Sequence, residues 1–153
     1  MSAHIVTACA GFLLAVLWMD LMFDSQVRAA GRDGPLDDRS LASIAGYYHR
    51  ATTTSQPMGS AIAGVMVVLL ATLAAEAFRG QVPGPILALS AALAGGPILL
   101  ALTRTVPNAV RLGRRSGDPG EQSRLARAVY RDHLICVVGM FAFLVLWIVA
   151  GLG

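Results

Sequence analysis

The chain has 153 residues and a formal net charge of +3 at pH 7, with 56% of its residues hydrophobic and 14% charged. Because a soluble globular domain carries about 25% charged residues, this composition excludes that class of protein. The mean hydropathy of +0.64 comes from apolar runs near the roughly 20 residues that cross a bilayer, and it predicts an all-α integral membrane protein.

Four apolar runs predict a bundle of four transmembrane helices that form a single domain over residues 1–153. The runs occupy about residues 5–23, 58–78, 85–102 and 134–152. Ser55 and Pro57 suit the N-cap and the first turn of the second helix. The stretch from Asp118 to Glu121 has the pattern of a capping box, so the fourth helix is expected to begin well before its apolar run.

The first long connection, about residues 25–56, is predicted to contain a short interfacial helix. Apolar side chains at positions 41, 44, 45 and 48 share one helical face, and Asp37 or Asp38 can cap the helix. Two placements are open for this apolar stripe. It can lie in the headgroup layer of the membrane, or it can dock under the bundle.

Gly95, Gly96 and Pro97 interrupt the middle of the third predicted helix. Proline removes one backbone hydrogen bond and leaves the Leu93 carbonyl without its helical partner, which predicts a kink. Glycine in membrane helices serves most often for close packing, so we expect the two glycines to face a neighbouring helix. The alternative is a broken helix that lines a cavity.

The arginines predict the orientation of the bundle. Four lie between the first and second apolar runs and seven between the third and fourth, whereas Arg79 alone lies on the other side. The positive-inside rule then places both long connections, about 25–56 and 104–131, in the cytoplasm and both termini outside, in a bacterial-type cytoplasmic membrane. These arginines suit anionic lipids or an acidic partner subunit, and nucleic acid is not an expected partner.

This topology brings polar side chains from several segments to one depth at the cytoplasmic end. Asp20 and Asp24 are four residues apart and share one face of the first helix. The same layer is expected to hold Tyr47, Tyr48, His49, Arg104, Asn108, Asp132 and His133. Because acids near a membrane boundary need partners, we expect an arginine–carboxylate network in which Arg28, Arg104 or Arg131 pairs with the acids, Asp24 among them.

A metal site is the alternative use of these residues. Carboxylates and imidazoles on facing helices can bind a metal together, and the candidate ligands are Asp20, Asp24, His49 and His133. The chain has no Glu-x-x-His pair, and a helix would direct the adjacent Asp132 and His133 to different faces. The arginine–carboxylate network is therefore the preferred interpretation, and the cofactor, if any, stays unknown.

Several of these residues also have purely structural interpretations. Residues 47–50, Tyr-Tyr-His-Arg, suit an aromatic anchor at the membrane interface. His133 can be a general acid or base, or it can simply be satisfied by Asp20 or a backbone carbonyl. Glu76 and Arg79, three residues apart, are predicted to form a surface ion pair.

The order of the parts resembles a known family. A glycine-bearing first helix is followed by a cytoplasmic loop, a short outer turn, and a third helix that ends in Val-Pro before an arginine-rich link. Residues 105–112, Thr-Val-Pro-Asn-Ala-Val-Arg-Leu, are similar to the Val-Pro-x-Asn-x-Arg-Leu stretch of the anthrone oxygenase-like family, small four-helix membrane proteins of mostly unassigned activity. Pro107, Arg111 and Leu112 fall in step with it, and Asn108 comes one position early.

The resemblance implies an oxidoreductase that acts on an apolar aromatic substrate at the cytoplasmic-side polar layer. The family reaction oxidises an anthrone carbon to a quinone with molecular oxygen and has no firmly established cofactor. Such chemistry needs a base for a carbon-bound proton, an apolar pocket, and donors for the resulting anion. With His133 or Asp20 as the base, the expected catalytic residues are Asp20, Arg104, Asn108 and His133, and the expected substrate contacts are Trp18, Tyr48 and His49.

Two other classes of function stay open. The chain can be a non-catalytic accessory or structural subunit, since an apolar exterior serves lipid, a homo-oligomer or a larger membrane complex equally well. It can also be a metal-binding membrane protein. An enzyme is expected to keep its activity when purified alone, whereas an accessory subunit is expected to co-purify with partners.

Overall fold

The computed structural model describes residues 2–28 and 34–151, apart from the side chain of Gln56. Arg32 of the first long connection and the predicted last residue of the fourth helix, Leu152, lie outside the described residues. The helices are α1 (Ser2–Asp24), α2 (Asp38–Thr52), α3 (Gln56–Arg79), α4 (Gly84–Leu100), α5 (Val106–Gly113) and α6 (Pro119–Gly151). A short 3₁₀ helix, Ser25–Arg28, follows α1, and a π-helical segment, Ala101–Thr105, joins α4 to α5.

The described residues contain helices and no strands, which confirms the all-α prediction. Four helical stretches are long and apolar enough to cross a membrane: Ser2–Arg28, Pro57–Arg79, Gly84–Gly113 and Pro119–Gly151. The early start predicted for the fourth helix is confirmed, because the Asp118 side chain accepts a hydrogen bond from the backbone N–H of Glu121 at 2.8 Å.

The third of these helical stretches, Gly84–Gly113, remains helical beyond the end of its apolar run. The backbone N–H of Val106 donates to the carbonyl of Ala101, five residues earlier, which is the hydrogen-bond pattern of a π-helix. This wider turn takes up one extra residue just before Pro107, whose ring would otherwise press on the carbonyl four residues back. The chain therefore passes the proline and remains helical to Gly113.

The helix predicted in the first long connection is α2, and it is docked rather than lying free. Asp37 caps it by accepting a hydrogen bond from the backbone N–H of Ser40 at 2.9 Å. The side chains of Leu41, Ile44 and Tyr48 are buried, and α2 packs against α5 and α6. Of the two placements that the sequence left open, the structure has the docked one.

The described helices enclose two apolar cores, one beyond the other along the bundle. The first core joins α1, α3, α4 and α6 through residues such as Leu13, Leu69, Ile98 and Phe143. The second joins α2, α5 and the N-terminal half of α6 through Ile44, Leu112 and Val129. We call the part of the bundle that holds the second core the α2–α5 end.

The close approach between α4 and α6 occurs at Gly139, not at the glycines of α4. A Cβ atom on Gly139 would lie 2.7 Å from Cγ of Pro97 and 3.2 Å from the carbonyl oxygen of Leu93. A Cβ on Gly95 or Gly96 would meet nothing within 4 Å, so the prediction that these two pack against a neighbour is wrong. Successive helical residues are about 100° apart, so the burial of Pro97 against α6 turns the preceding glycines away.

We expect Gly139→Ala to lower the free energy of unfolding by about 1–3 kcal/mol, because neither a proline ring nor a backbone carbonyl can yield easily to the added methyl group. Gly95→Ala is the matched control, since the new methyl group has open space and alanine is the better helix former. It should leave stability equal or higher. Thermal unfolding in detergent measures both variants, and equal melting temperatures would contradict the close contact.

Candidate functional site

Five side chains that can carry or donate a proton meet between the two apolar cores. They are contributed by three helices: Asp20 and Asp24 by α1, Tyr47 and Tyr48 by α2, and His133 by α6. We call this group the Asp–His–Asp cluster. Asp20 and Asp24 reach it together because a spacing of four residues puts them on one face of α1.

The imidazole of His133 lies between the two carboxylates. Its Nδ1 atom is 2.7 Å from Oδ2 of Asp24, and its Nε2 atom is 3.7 Å from Oδ2 of Asp20. The side chain of Asp24 is completely enclosed, whereas that of Asp20 keeps 16% of its surface exposed. Asp24 therefore orients the ring, and the Nε2 edge faces the more accessible carboxylate.

Each carboxylate also accepts a hydrogen bond from a tyrosine of α2. The hydroxyl of Tyr47 donates to Oδ1 of Asp20 at 2.6 Å, and that of Tyr48 donates to Oδ1 of Asp24 at 2.7 Å. Burial, and then the neighbouring carboxylates, raise the pKa of both tyrosines well above the ordinary value. Both hydroxyls consequently stay protonated near neutral pH and act as donors.

An apolar cavity of about 150 Å³ opens beside the cluster, with walls from α1, α3, α4, the π-helical segment and α6. Asp20 and His133 line it together with mainly aliphatic side chains such as Leu17, Met66 and Met140. A cavity of about 150 Å³ with apolar walls can hold one benzene ring. The cluster thus presents a carboxylate and an imidazole to a space that suits a single aromatic ring.

Two further polar groups of the cavity wall have partners of their own. The thiol of Cys136 lies 3.6 Å from the carbonyl oxygen of Pro97, and the hydroxyl of Thr105 lies 3.4 Å from that of Leu100. Each group therefore has a backbone carbonyl of α4 as its hydrogen-bond acceptor. Apart from the Cys136 thiol, Asp20 and His133 are the ionisable side chains among the residues that line the cavity.

The expected arginine–carboxylate network exists, but it is built on Asp132 rather than on Asp24. Nε of Arg104 lies 3.1 Å from Oδ2 of Asp132, and Nε of Arg131 lies 3.8 Å from Oδ1. Asp132 and His133 point to different partners, as their adjacency on one helix predicts. Both are buried, because α6 has α1 on one side and the π-helical segment on another.

The structure does not bring all predicted site residues to the cluster. Tyr48 is part of it, but Arg104 is engaged with Asp132, and Asn108 makes no hydrogen bond to any side chain of the described residues. Trp18 is 67% exposed, since a position two residues before Asp20 falls on another face of α1. His49 is exposed next to the buried Tyr48. These four residues therefore lie apart from the apolar cavity.

The residues of the metal hypothesis are only partly together. Asp20, Asp24 and His133 meet, but the fourth candidate, His49, points elsewhere. Within residues 2–28 and 34–151, no group of three or more histidine, cysteine, aspartate and glutamate side chains has an arrangement that could hold a metal ion.

Tyr47 lies in the predicted polar layer, but the predicted catalytic, substrate-binding and metal-binding residues do not include it. Its signal in the sequence is its depth in that layer beside Tyr48, and residues 47–50 suit an interfacial anchor equally well. Its role depends on the docking of α2 against α1, where its ring also stacks on Phe23 with centroids 4.1 Å apart.

The Glu76–Arg79 pair forms at 3.0 Å as predicted, but Glu76 is buried rather than on the surface.

No family model, curated protein or solved structure matches this chain. The resemblance to the anthrone oxygenase-like family therefore rests on the order of the helices and on residues 105–112 alone. The Asp–His–Asp cluster and the cavity beside it are the features of the described residues that bear on function.

Proposed function

We propose that the chain is a membrane enzyme that removes a carbon-bound proton from an apolar aromatic substrate, as the first step of an oxygenase-like oxidation. One observation carries the proposal: an oriented histidine and a carboxylate face an otherwise apolar cavity with room for one aromatic ring. An apolar pocket with a few convergent polar groups is the usual form of a small-molecule site.

In this mechanism Nε2 of His133 is the proton acceptor. Asp24 holds Nδ1 at 2.7 Å, which keeps the proton on Nδ1, leaves Nε2 free to accept, and stabilises the imidazolium once it forms. Tyr48 in turn holds Asp24 through its other oxygen. Asp20, fixed by Tyr47, lies on the Nε2 side and can pass the proton onward.

Molecular oxygen is the oxidant in the proposed reaction. Loss of the proton leaves a carbanion that is stabilised by the aromatic ring, and the overall change converts CH₂ and O₂ into C=O and H₂O. Four electrons leave the carbon, one oxygen atom enters the carbonyl group, and the other leaves as water. The cavity of about 150 Å³ admits one ring, so a larger fused substrate would have to extend beyond it.

The proposed enzyme lies in a cytoplasmic membrane with its α2–α5 end in the cytoplasm. Support comes from the arginines, since every one except Arg79 falls in or next to the two connections at that end. The apolar side chains exposed on the outer helix faces, such as Phe78 and Val138, would then contact lipid.

Turnover by the purified protein tests the proposal, with anthrone as the substrate and oxygen uptake and anthraquinone absorbance as readouts. We expect His133→Ala and Asp20→Asn each to lower the rate above that of protein-free micelles by about a hundredfold or more, the range of general acid–base catalysis. His49→Ala and Asp38→Asn are matched controls, because both side chains are exposed and outside the cluster.

Retained turnover in both cluster variants would refute the proposed mechanism. Absence of turnover in the wild-type protein, together with stoichiometric co-purification of other membrane subunits, would instead indicate the accessory-subunit function. Melting temperatures of all variants establish that a lost rate does not reflect unfolding.

A further inference from the structure

A second cavity adjoins the apolar one at the α2–α5 end. It measures about 250 Å³ and has walls from α1, α2 and α3. Val16, Asp20 and Ile62 line both cavities, so the two spaces meet at these three side chains. Volumes of about 150 and 250 Å³ together reach the range of roughly 300–1,000 Å³ that is typical of small-molecule sites.

The second cavity differs from the first in its polar groups. Tyr47, Arg50 and Ser55 line it, so it offers a guanidinium and two hydroxyl groups. The side chain of Ser55 makes no capping hydrogen bond to α3, although the residue stands at the N-cap position. Its hydroxyl group is therefore available to a ligand.

Arg50, an exposed residue of α2, lines the second cavity and forms no ion pair, unlike three arginines elsewhere in the described chain. Arg79, Arg104 and Arg111 each pair with a carboxylate at 2.5–3.1 Å. No carboxylate of the described residues lies within ion-pair distance of Arg50. A guanidinium without a counter-ion at a cavity wall suits an anionic oxygen group, which it can bind with two parallel hydrogen bonds.

Asp20 does not prevent an anionic group from binding nearby. One of its oxygen atoms accepts the Tyr47 hydroxyl at 2.6 Å, and the other faces the His133 imidazole. Its carboxylate is thus already directed toward Tyr47 and His133 of the cluster. Among the side chains that line the second cavity, Arg50 is the cationic one, and no described carboxylate pairs with it.

From this geometry we infer that the two cavities form one binding site for an amphipathic aromatic ligand that carries an anionic oxygen group. The ring occupies the apolar cavity beside His133, and the anionic group lies in the second cavity against Arg50 and Ser55. This inference rests on the proposed function, because it names the substrate class of the same site. Arg50 is then a specificity-determining residue that takes no part in proton transfer.

Binding to the full-length protein in neutral detergent tests the inference without any turnover. The probes are 4-phenylbutyrate and its uncharged analogue 4-phenyl-1-butanol, and isothermal titration calorimetry gives their Kd values. We expect Arg50→Gln to raise the Kd of the carboxylate about tenfold or more and to leave that of the alcohol unchanged. Arg39→Gln is the matched control, since this exposed arginine lies on the same helix outside the cavity wall.

Three results would overturn the inference. The carboxylate and the alcohol could bind equally well to the wild-type protein, Arg39→Gln could weaken binding as much as Arg50→Gln, or hexanoate could bind as tightly as 4-phenylbutyrate. Ile62→Trp, at the junction of the cavities, should weaken both aromatic probes. If Arg50→Gln leaves binding unchanged while His133→Ala abolishes turnover, this inference fails and the proposed function stands.

Discussion

Asp24→Ala is expected to lower the free energy of unfolding by about 3–5 kcal/mol, which exceeds a hundredfold change in the ratio of folded to unfolded protein. Asp24 is 1% exposed and accepts hydrogen bonds at 2.7 Å from both Tyr48 and His133. Truncation leaves a buried hydroxyl and a buried imidazole without their partner. The full desolvation penalty of both groups then opposes folding.

Chemical denaturation in mixed micelles measures this loss. The matched control is Asp38→Ala, because Asp38 is exposed in the first turn of α2 and contributes at most about 1 kcal/mol through the helix dipole. Asp24→Asn should fall between the two variants, since an amide oxygen can still accept from Tyr48. Equal stability of the two alanine variants would contradict the role of Asp24 as the buried anchor of the cluster.

Gly113→Ala is expected to lower the free energy of unfolding by about 2–3 kcal/mol and to disturb the cluster as well. A Cβ atom on Gly113 would lie 2.7 Å from the backbone nitrogen of His49 and 2.9 Å from the carbonyl carbon of Tyr48. These are backbone atoms, so α2 has to move away from α5 as a unit. Because α2 carries Tyr47 and Tyr48, their hydroxyl groups would be displaced from the carboxylates.

Melting temperature and turnover of the purified variant measure the two effects. Gly46→Ala is the matched control on the facing helix, since its Cβ would meet only the flexible end of Arg50, at 3.7 Å. It should be as stable as the wild-type protein. A Gly113→Ala variant with unchanged stability and unchanged turnover would show that α2 is not held as closely as these distances imply.

Much of the helical architecture could be predicted because it depends on neighbours in the sequence. The helix in the first long connection follows from the Asp37 cap and from an apolar face that repeats at helical spacing. The early start of α6 follows from the capping pattern that begins at Asp118. Such signals act within one or two turns, so no knowledge of the packed bundle is needed.

The sequence predicts how far along the bundle each candidate site residue lies, but not the direction in which its side chain points. The position of Asp20, Arg104 or His133 along the bundle follows from residue number, at about 1.5 Å of rise per residue. Which way each side chain points depends on contacts between residues far apart in the sequence. Arg104 has the expected depth, yet it turns to Asp132 instead of to the cluster.

The sequence by itself determined the helical class, the four long apolar helices and the apolar face of α2. It also determined the set of acids and histidines from which the cluster is drawn. These features could be predicted because periodicity, capping and hydropathy are local properties. Only the tertiary structure decided that Tyr47 and Tyr48 belong to the cluster while His49 does not, and that Gly139 rather than Gly95 makes the close helix contact. The physical reason is that the rotation of a helix about its own axis is set by the partner it packs against.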